Sequence, residues 1–258
     1  MGIDFHNDRN RFKYAFRHVD SLWMDLVKSL VPIENTSSAA DIGCGGGIYT
    51  KALLKLGVNS VTGVDFSLAM IEGAKEASKG YQNLSFQHGS AYESGLKRNA
   101  YDLVLERALI HHIKDLYSCF QEAYQLLNNG GNLIVQDRTP EDCLLPGSQD
   151  HVRGYFFDCY LKLKDIELKR RYTSTFVTEN LKRAGFKEIE EVTLWETRRV
   201  YETKHELLND IKNRTGRSIL FELENDELKS LIDYMDKSLP MNKKITEKDR
   251  WTIWKAVK

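Results

Sequence analysis

Short apolar runs alternate with amphipathic helical patterns along most of this chain. Over 48–56 the apolar residues recur at helical spacing, and Gly57 follows, a residue type that suits the position just beyond a helix. The runs that predict strands are 38–41, 60–65, 84–89, 101–106, 132–137, 186–197 and 251–257. The patterns that predict helices are 48–56, 68–77, 116–127 and 178–184. This alternation predicts an α/β fold with a mostly parallel, seven-stranded sheet and helices on both of its faces.

Three further segments lie outside this alternation. An amphipathic helix is predicted over 7–30, with Phe12, Phe16, Val19, Trp23, Leu26 and Leu30 near one face. The connector 138–172 contains prolines, glycines and an aromatic cluster, and connectors of this length are typical of lids or caps. The segment 202–239 predicts inserted helices over the mouth of the site. We predict an N-terminal helical lid at 1–36 and a main domain at 37–258, with a small helical cap from insertions at about 138–172 and 202–240.

A glycine-rich loop follows the first predicted strand. Asp41 ends an apolar run, and glycines at 43, 45, 46 and 47 lead directly into the next helix. Glycine allows a sharp turn with positive φ and the close approach of a ligand. The N-terminus of the helix offers unpaired N–H groups and a positive dipole end to an anionic group. A dinucleotide-type Gly-x-Gly-x-x-Gly needs a glycine where this chain has Ile48, which disfavours a nicotinamide oxidoreductase.

A second acid stands at a suitable distance from this loop. The strand 60–65 ends at Asp65, and an acid roughly 20 residues beyond the first glycines can bind ribose hydroxyls. The pattern acid-x-Gly-x-Gly-x-Gly at 41–47, together with Asp65, resembles the class I S-adenosylmethionine (SAM) dependent methyltransferases. Within that class it is similar to the type 11 and type 25 enzymes that act on small molecules. The resemblance covers 37–137 in the order and spacing of its elements and is general beyond that segment. It implies a Rossmann-like class I methyltransferase fold and methyl transfer with SAM as co-substrate, without a metal.

The resemblance also implies which residues bind SAM. Asp65 would hold both ribose hydroxyls, and Met70 would pack on adenine, with ordinary core packing as the alternative. Many relatives have an acid where this chain has Ser90, a weaker neutral acceptor, so backbone groups of Ser90 and Ala91 would share in adenine recognition. Glu106 would contact the methionine amino group or be a solvated acid at a strand end. The implied set is Asp41, Gly43, Cys44, Gly45, Gly47, Asp65, Phe66, Met70, Ser90, Ala91, Glu106 and Arg107.

Two adjacent histidines follow the fourth predicted strand. His111 and His112 are candidate catalytic bases, since histidine titrates near neutral pH; packing and helix entry are the alternative. With no acid or cysteine nearby to complete a tetrahedral set, they do not predict a metal site. Positioning alone can lower a barrier by roughly 7–11 kcal/mol, so a base is optional. Aromatic rings near the sulfonium can add cation–π stabilisation. The candidates for this contact are Tyr14, Phe16, Tyr155 and Phe156, with core packing as the alternative for each.

Arginines in the two insertions are candidates for binding an acidic methyl acceptor. Arg138 and Arg153 can bind an acidic group bidentately, and surface salt bridges are the alternative. The segment 214–218 combines two arginines and two hydroxyls at a predicted helix start, which suits a carboxylate or phosphate. Its placement is loosely similar to the cap of trans-aconitate-type methyltransferases, which makes a carboxylate-bearing acceptor one hypothesis.

Composition narrows the classes of partner. The 258 residues include 37 Lys and Arg and 37 Asp and Glu, and zero formal charge disfavours large-scale nucleic-acid binding. The sequence has no apolar run of about 20 residues and no Cys-x-x-Cys pair. Its N-terminus is too polar to predict a signal peptide. We predict a cytoplasmic enzyme, monomeric or homodimeric, with a small-molecule methyl acceptor and no membrane partner. The alternatives are a tRNA or rRNA methyltransferase and a SAM-binding protein without transfer activity.

Overall fold

A seven-stranded sheet organises the computed structural model, which describes residues 19–241 and 243–258. Its strands are β1 (Ser38–Ile42), β2 (Ser60–Asp65), β3 (Leu84–His88), β4 (Tyr101–Arg107), β5 (Leu127–Asp137), β6 (Lys187–Tyr201) and β7 (Ile245–Val257). The strand order is β3-β2-β1-β4-β5-β7-β6. Neighbours among β1 to β5 pair in parallel, and β7 pairs antiparallel with β5. The prediction of a mostly parallel, seven-stranded α/β fold is confirmed.

Helices connect these strands. They are α1 (Ser21–Leu30), α2 (Ile48–Leu56), α3 (Leu68–Ala77), α4 (Leu116–Leu126), α5 (Pro140–Cys143), α6 (Gly154–Cys159), α7 (Leu161–Leu168), α8 (Ser174–Ala184), α9 (Lys204–Lys212) and α10 (Asn225–Ser238). Ser67 directly precedes the helical pattern 68–77, which predicts it as the N-cap of α3, and its hydroxyl does accept a hydrogen bond from the Met70 N–H. Gly57 has φ +120° and donates to carbonyls of the last turn of α2, as its position after that helix predicted.

Several element boundaries differ from the predictions; β6, for example, ends at Tyr201 rather than at 197. The sequence Asn-Asn-Gly-Gly at 128–131 predicts a turn before the strand at 132, but these residues lie inside β5. Gly130 has φ +78° there, and the pairing with β4 shifts register near Tyr101. Helix α8 begins at Ser174 rather than 178, because buried Val177 and Leu181 stabilise a turn of weak helix formers.

Strand β7 begins at Ile245, six residues before the predicted start at 251. Its inward positions alternate as expected for a strand, but two of them carry the buried acids Glu247 and Asp249. Charged side chains at inward positions hid the period-two pattern of this strand.

Two compact units divide the chain. The first contains, among the described residues, 19–137, Ser174–Leu194 and Thr252–Lys258. Its core includes Trp23 of α1, which is fully buried and donates its indole N–H to Gln136 at 2.7 Å. Helix α1 is therefore held by both apolar packing and a buried hydrogen bond. The part of the predicted lid before Val19 lies outside the described residues.

The second unit contains Arg138–Thr173 and Trp195–Trp251. Its apolar core includes Phe156, Tyr201, Leu231 and Met235. Among the described residues, no helix has both the length and the apolar character that crossing a membrane requires.

Candidate functional site

The glycine loop between β1 and α2 forms a tight turn over the end of β2. The N–H groups of Gly43 and Cys44 donate to the Val64 carbonyl at 2.8 and 3.0 Å, and Gly47 donates to Cys44 at 2.9 Å. Gly45 has φ +50°, and a Cβ added there would meet no atom within 4 Å. The loop therefore leaves open space above Gly45, where a ligand can approach the backbone.

Gly47 differs from Gly45 in what surrounds it. A Cβ at Gly47 would lie 2.8 Å from the ring of Phe86, which is buried in a small apolar cluster. We expect Gly47→Ala to lower the free energy of unfolding by about 1–3 kcal/mol more than Gly45→Ala. Both substitutions place alanine at positive φ, but only the Cβ at position 47 would clash with Phe86. Urea unfolding of the two variants measures this difference, and equal losses would contradict the packing argument.

Asp65, at the end of β2, faces this loop. Its Oδ2 accepts from the Gly45 N–H at 2.8 Å, and its Oδ1 accepts from the Ser67 N–H at 2.9 Å. The carboxylate thus lies directly beside the open position of the glycine loop. The structure brings together the two features that the sequence predicted as a nucleotide site.

Asp41 has a different place from the one predicted. Its side chain is buried, and its Oδ2 accepts from the Thr50 hydroxyl at 2.6 Å, which ties β1 to α2. Burial, with a smaller contribution from the Asp65 charge, raises the pKa of Asp41 to about 6, while the Thr50 hydrogen bond opposes the rise. Asp41 therefore supports the loop from beneath, and its carboxylate is not presented to a ligand.

Side chains around α3 divide between core and surface. Phe66 is 58% exposed beside Asp65, whereas Met70 is 3% exposed and packs in the interior. The core interpretation of Met70 therefore applies, and the predicted adenine contact is wrong for its side chain. Phe66 is the apolar surface next to the acid, and its carbonyl contacts the His88 ring at 3.0 Å.

Ser90 differs from its predicted role as a hydrogen-bond acceptor. Its hydroxyl oxygen accepts from the N–H groups of Tyr92 at 3.2 Å and Glu93 at 3.0 Å. Both lone pairs of a serine oxygen are then engaged, and the O–H remains to donate. Ser90 can therefore offer a donor to a ring nitrogen rather than an acceptor to an amino group. Ala91, partly buried, follows it in the same turn.

Glu106 and Arg107 end β4 with opposite orientations. The Glu106 carboxyl is 1% exposed and accepts from the Cys119 thiol at 3.6 Å, so neither predicted role, ligand contact or solvated acid, holds for it. Burial raises its pKa to about 8, which keeps it protonated near neutral pH. Arg107 lies over the Tyr49 ring at 3.9 Å, and Tyr49 meets Trp23 edge-on at 4.8 Å. Tyr49 is in the first turn of α2, directly after the glycine loop, so the guanidinium over its ring lies near that loop.

The two histidines occupy a short 3-10 helix, Ile110–His112, just after β4. The His111 Nδ1 lies 2.8 Å from Asp137 Oδ2, and its backbone N–H donates to the same oxygen at 3.2 Å. His112 is exposed, and the two rings are 4.0 Å apart. The sequence analysis considered acids near these histidines only as metal ligands and did not pair His111 with Asp137. The signal was present, because Asp137 is the last residue of β5, His111 follows β4, and these two strands pair in parallel.

The arginines of the second unit are engaged in ion pairs. Arg138 and Arg153 each lie 3.4 Å from Asp249, and all three side chains are largely buried, so these are not the surface salt bridges of the alternative. In 214–218, Arg214 donates to the Leu220 carbonyl at 2.9 Å, and Arg217 is buried against Glu247 at 2.7 Å. Both arginines bind within the protein, so the predicted anion site at 214–218 is wrong.

The remaining aromatic candidates that the structure describes lie in an apolar core. Tyr155 and Phe156 are buried in the apolar core of the second unit, which favours their core interpretation. Tyr14 and Phe16 lie outside the described residues. All four cysteines are free thiols. Among the described residues, no group of three or more His, Cys, Asp or Glu side chains is arranged to hold a metal ion.

Comparison with known proteins adds an independent observation. Residues 40–135 match the family described as "Methyltransferase domain". A demethylmenaquinone methyltransferase of Staphylococcus aureus is 30% identical over 115 residues, which cover 44% of this chain. The matched segment spans 48% of that relative, so the comparison covers about half the length of the curated protein.

Solved structures share the fold. A candidate methyltransferase of an antibiotic biosynthesis pathway from Anabaena variabilis superposes with TM-score 0.70 at 18% identity, over 92% of this chain and 98% of the other. Phosphoethanolamine N-methyltransferase 2 of Haemonchus contortus, in complex with S-adenosyl-L-methionine, gives TM-score 0.61 at 20% identity. That match covers 99% of this chain and 60% of the other. At these identities the likeness shows the fold.

Proposed function

We propose that this chain transfers a methyl group from SAM to a small molecule, on the premise that residues 40–135 match the methyltransferase-domain family and that the chain shares the fold of solved methyltransferases. The observation that carries the proposal is the juxtaposition of Gly45 and Asp65. The backbone at Gly45 borders open space, and the Asp65 carboxylate lies 2.8 Å from its N–H. This arrangement suits a nucleoside whose sugar binds a carboxylate while its tail passes over glycine.

The residues of the first unit fit the parts of SAM. Asp65 would accept hydrogen bonds from the ribose hydroxyls, and exposed Phe66 would cover a face of adenine. The Ser90 O–H would donate to a ring nitrogen, because its oxygen already accepts two backbone N–H groups. Arg107 supplies a positive charge near the loop for the carboxylate of the amino-acid tail. When bound, SAM supplies an electrophilic methyl carbon and a sulfide leaving group.

A small-molecule acceptor is supported by charge and by relatives. The chain has zero formal charge, and nucleic-acid binding depends on an excess of basic groups. The names of the matched proteins refer to demethylmenaquinone and phosphoethanolamine, which are both small molecules. The buried ion pairs of Arg138 and Arg153 favour neither an acidic nor a neutral acceptor.

Binding of S-adenosylhomocysteine to the full chain, measured by isothermal titration calorimetry, tests the proposal. We expect Asp65→Asn to weaken binding about 10- to 100-fold, since hydrogen bonds to charged groups contribute about 1.5–3 kcal/mol. Asp233→Ala, which removes an exposed acid of α10, is the control and should leave affinity unchanged. Absence of binding to the parent chain would refute the proposal, and so would an affinity of Asp65→Asn equal to that of the parent chain.

A further inference from the structure

We propose that Asp137 is a positioning residue that makes His111, and not His112, the proton acceptor of the reaction, and that the acceptor is a hydroxyl compound. This inference rests on the proposed methyl transfer. It goes further by naming one of two adjacent histidines, the carboxylate that orients it and the class of nucleophile.

The geometry at His111 is specific to one ring nitrogen. Nδ1 lies 2.8 Å from Oδ2 and 3.1 Å from Oδ1 of Asp137, while the His111 backbone N–H donates to Oδ2 at 3.2 Å. A carboxylate only accepts, so a neutral imidazole held there carries its proton on Nδ1. Nε2 is then left with its lone pair, as a general base requires.

Burial of the Asp137 carboxylate fixes the orientation of the His111 ring. The Asp137 side chain is 2% exposed, whereas His111 keeps 16% of its side chain exposed. The carboxylate is therefore fixed in the interior, and the ring extends from it toward the surface. An imidazolium formed by proton uptake would be stabilised by a short, charge-assisted hydrogen bond.

The backbone explains why these two residues meet. Strands β4 and β5 pair in parallel with Arg107 opposite Gln136. Ala108, at φ +51°, donates to the Gln136 carbonyl at 2.8 Å and turns the chain back over the end of β5. The 3-10 helix that follows then places His111 on Asp137. This end of the sheet is where ligands bind in open α/β folds.

The chemistry that follows suits an oxygen nucleophile. The acceptor oxygen forms a bond to the methyl carbon while the carbon–sulfur bond breaks and its electron pair leaves with sulfur. The hydroxyl proton passes to Nε2 of His111, and the resulting imidazolium faces the Asp137 carboxylate. An alkylamine is protonated near neutral pH but can lose that proton to solvent before the attack, whereas an alcohol is a far weaker acid and must pass its proton to a base as it attacks. A preoriented base is therefore most useful to a hydroxyl acceptor.

The protonated nitrogen can be observed directly. In the ¹⁵N-labelled full chain at about pH 8, where a free imidazole is neutral, long-range ¹H–¹⁵N NMR distinguishes the two tautomers. We expect His111, assigned by loss of its signals in His111→Gln, to show a protonated Nδ1 and a bare Nε2. In Asp137→Ala the acceptor of the Nδ1 proton is removed, and a histidine ring without such an acceptor favours the tautomer protonated at Nε2, so we expect loss of the bare Nε2 signal. His112→Gln is the matched control and should leave the His111 tautomer unchanged.

A protonated Nε2 in the parent chain, or a bare Nε2 that persists in Asp137→Ala, would overturn the inference. The acceptor class has its own test, in which the parent chain receives [methyl-¹³C]SAM and a small-molecule extract. Label on oxygen supports a hydroxyl acceptor, and label on nitrogen, sulfur or carbon overturns it. Binding of S-adenosylhomocysteine to the same samples keeps the outcomes distinct, since its absence refutes the proposed function and not the tautomer.

Discussion

Replacing Glu106 with glutamine is expected to make the folded protein more stable than the parent chain at pH 8. Burial raises the pKa of this carboxyl from 4.5 to about 8, because the charged form loses its hydration. The folded state therefore holds a proton that the unfolded state releases above about pH 4.5, and stability falls as pH rises through this window. With about 1.4 kcal/mol for each pKa unit, the loss reaches on the order of 4 kcal/mol by pH 8.

Glutamine cannot ionise, so Glu106→Gln should remove this fall while keeping the shape of the side chain. Urea unfolding of both chains at several values between pH 5 and pH 9 measures the difference, which should grow with pH. Glu34→Gln is the matched control, since Glu34 is exposed and its substitution should leave the pH profile unchanged. A constant difference between Glu106→Gln and the parent across this range would contradict the buried, protonated state.

Replacing Glu167 with glutamine is expected to destabilise the second unit by about 3–5 kcal/mol, the cost of leaving a buried charge without its partner. Glu167 is 2% exposed in its side chain and accepts from Arg171 at 2.6 and 3.0 Å, with Arg153 at 3.8 Å. Its desolvation is outweighed by Arg171 and Arg153, which hold the pKa of Glu167 far below its usual range. Because the folded-state pKa is lowered, this stability is present above about pH 4.5 and is lost as pH falls.

The same substitution at an exposed ion pair provides the comparison. Glu202 bridges Lys244 at 2.7 Å, but both side chains are more than half exposed, so Glu202→Gln should cost less than about 1 kcal/mol. Urea unfolding at pH 7 compares the two variants within the same unit. Equal midpoints would mean that the Glu167 pair contributes no more than a surface contact, against the burial argument.

Sequence reasoning succeeded for features set by neighbouring residues. The glycine loop, the cap at Ser67 and the C-terminal Gly57 depend on backbone conformations that few residue types allow, so local sequence predicts them. Asp65 was found because spacing in a βαβ unit fixes which strand end lies beside the loop.

It failed where a partner distant in sequence decides the outcome. The early start of β7 was hidden because Glu247 and Asp249 occupy inward positions, which only buried arginines make tolerable. Glu106 was predicted either to contact the methionine amino group of SAM or to be solvated at a strand end, but its carboxyl is buried against Cys119 of α4. Ser90 was read as an acceptor, and the turn that follows it uses both of its lone pairs.

The sequence by itself determined the α/β fold, the glycine loop and the acid beside it, since these follow from hydrophobic period, glycine conformation and spacing. The tertiary structure alone decided which charged groups are paired, which are buried without charge, and that His111 meets Asp137. Those outcomes depend on the side-chain environment created by packing, and a linear pattern does not specify that environment.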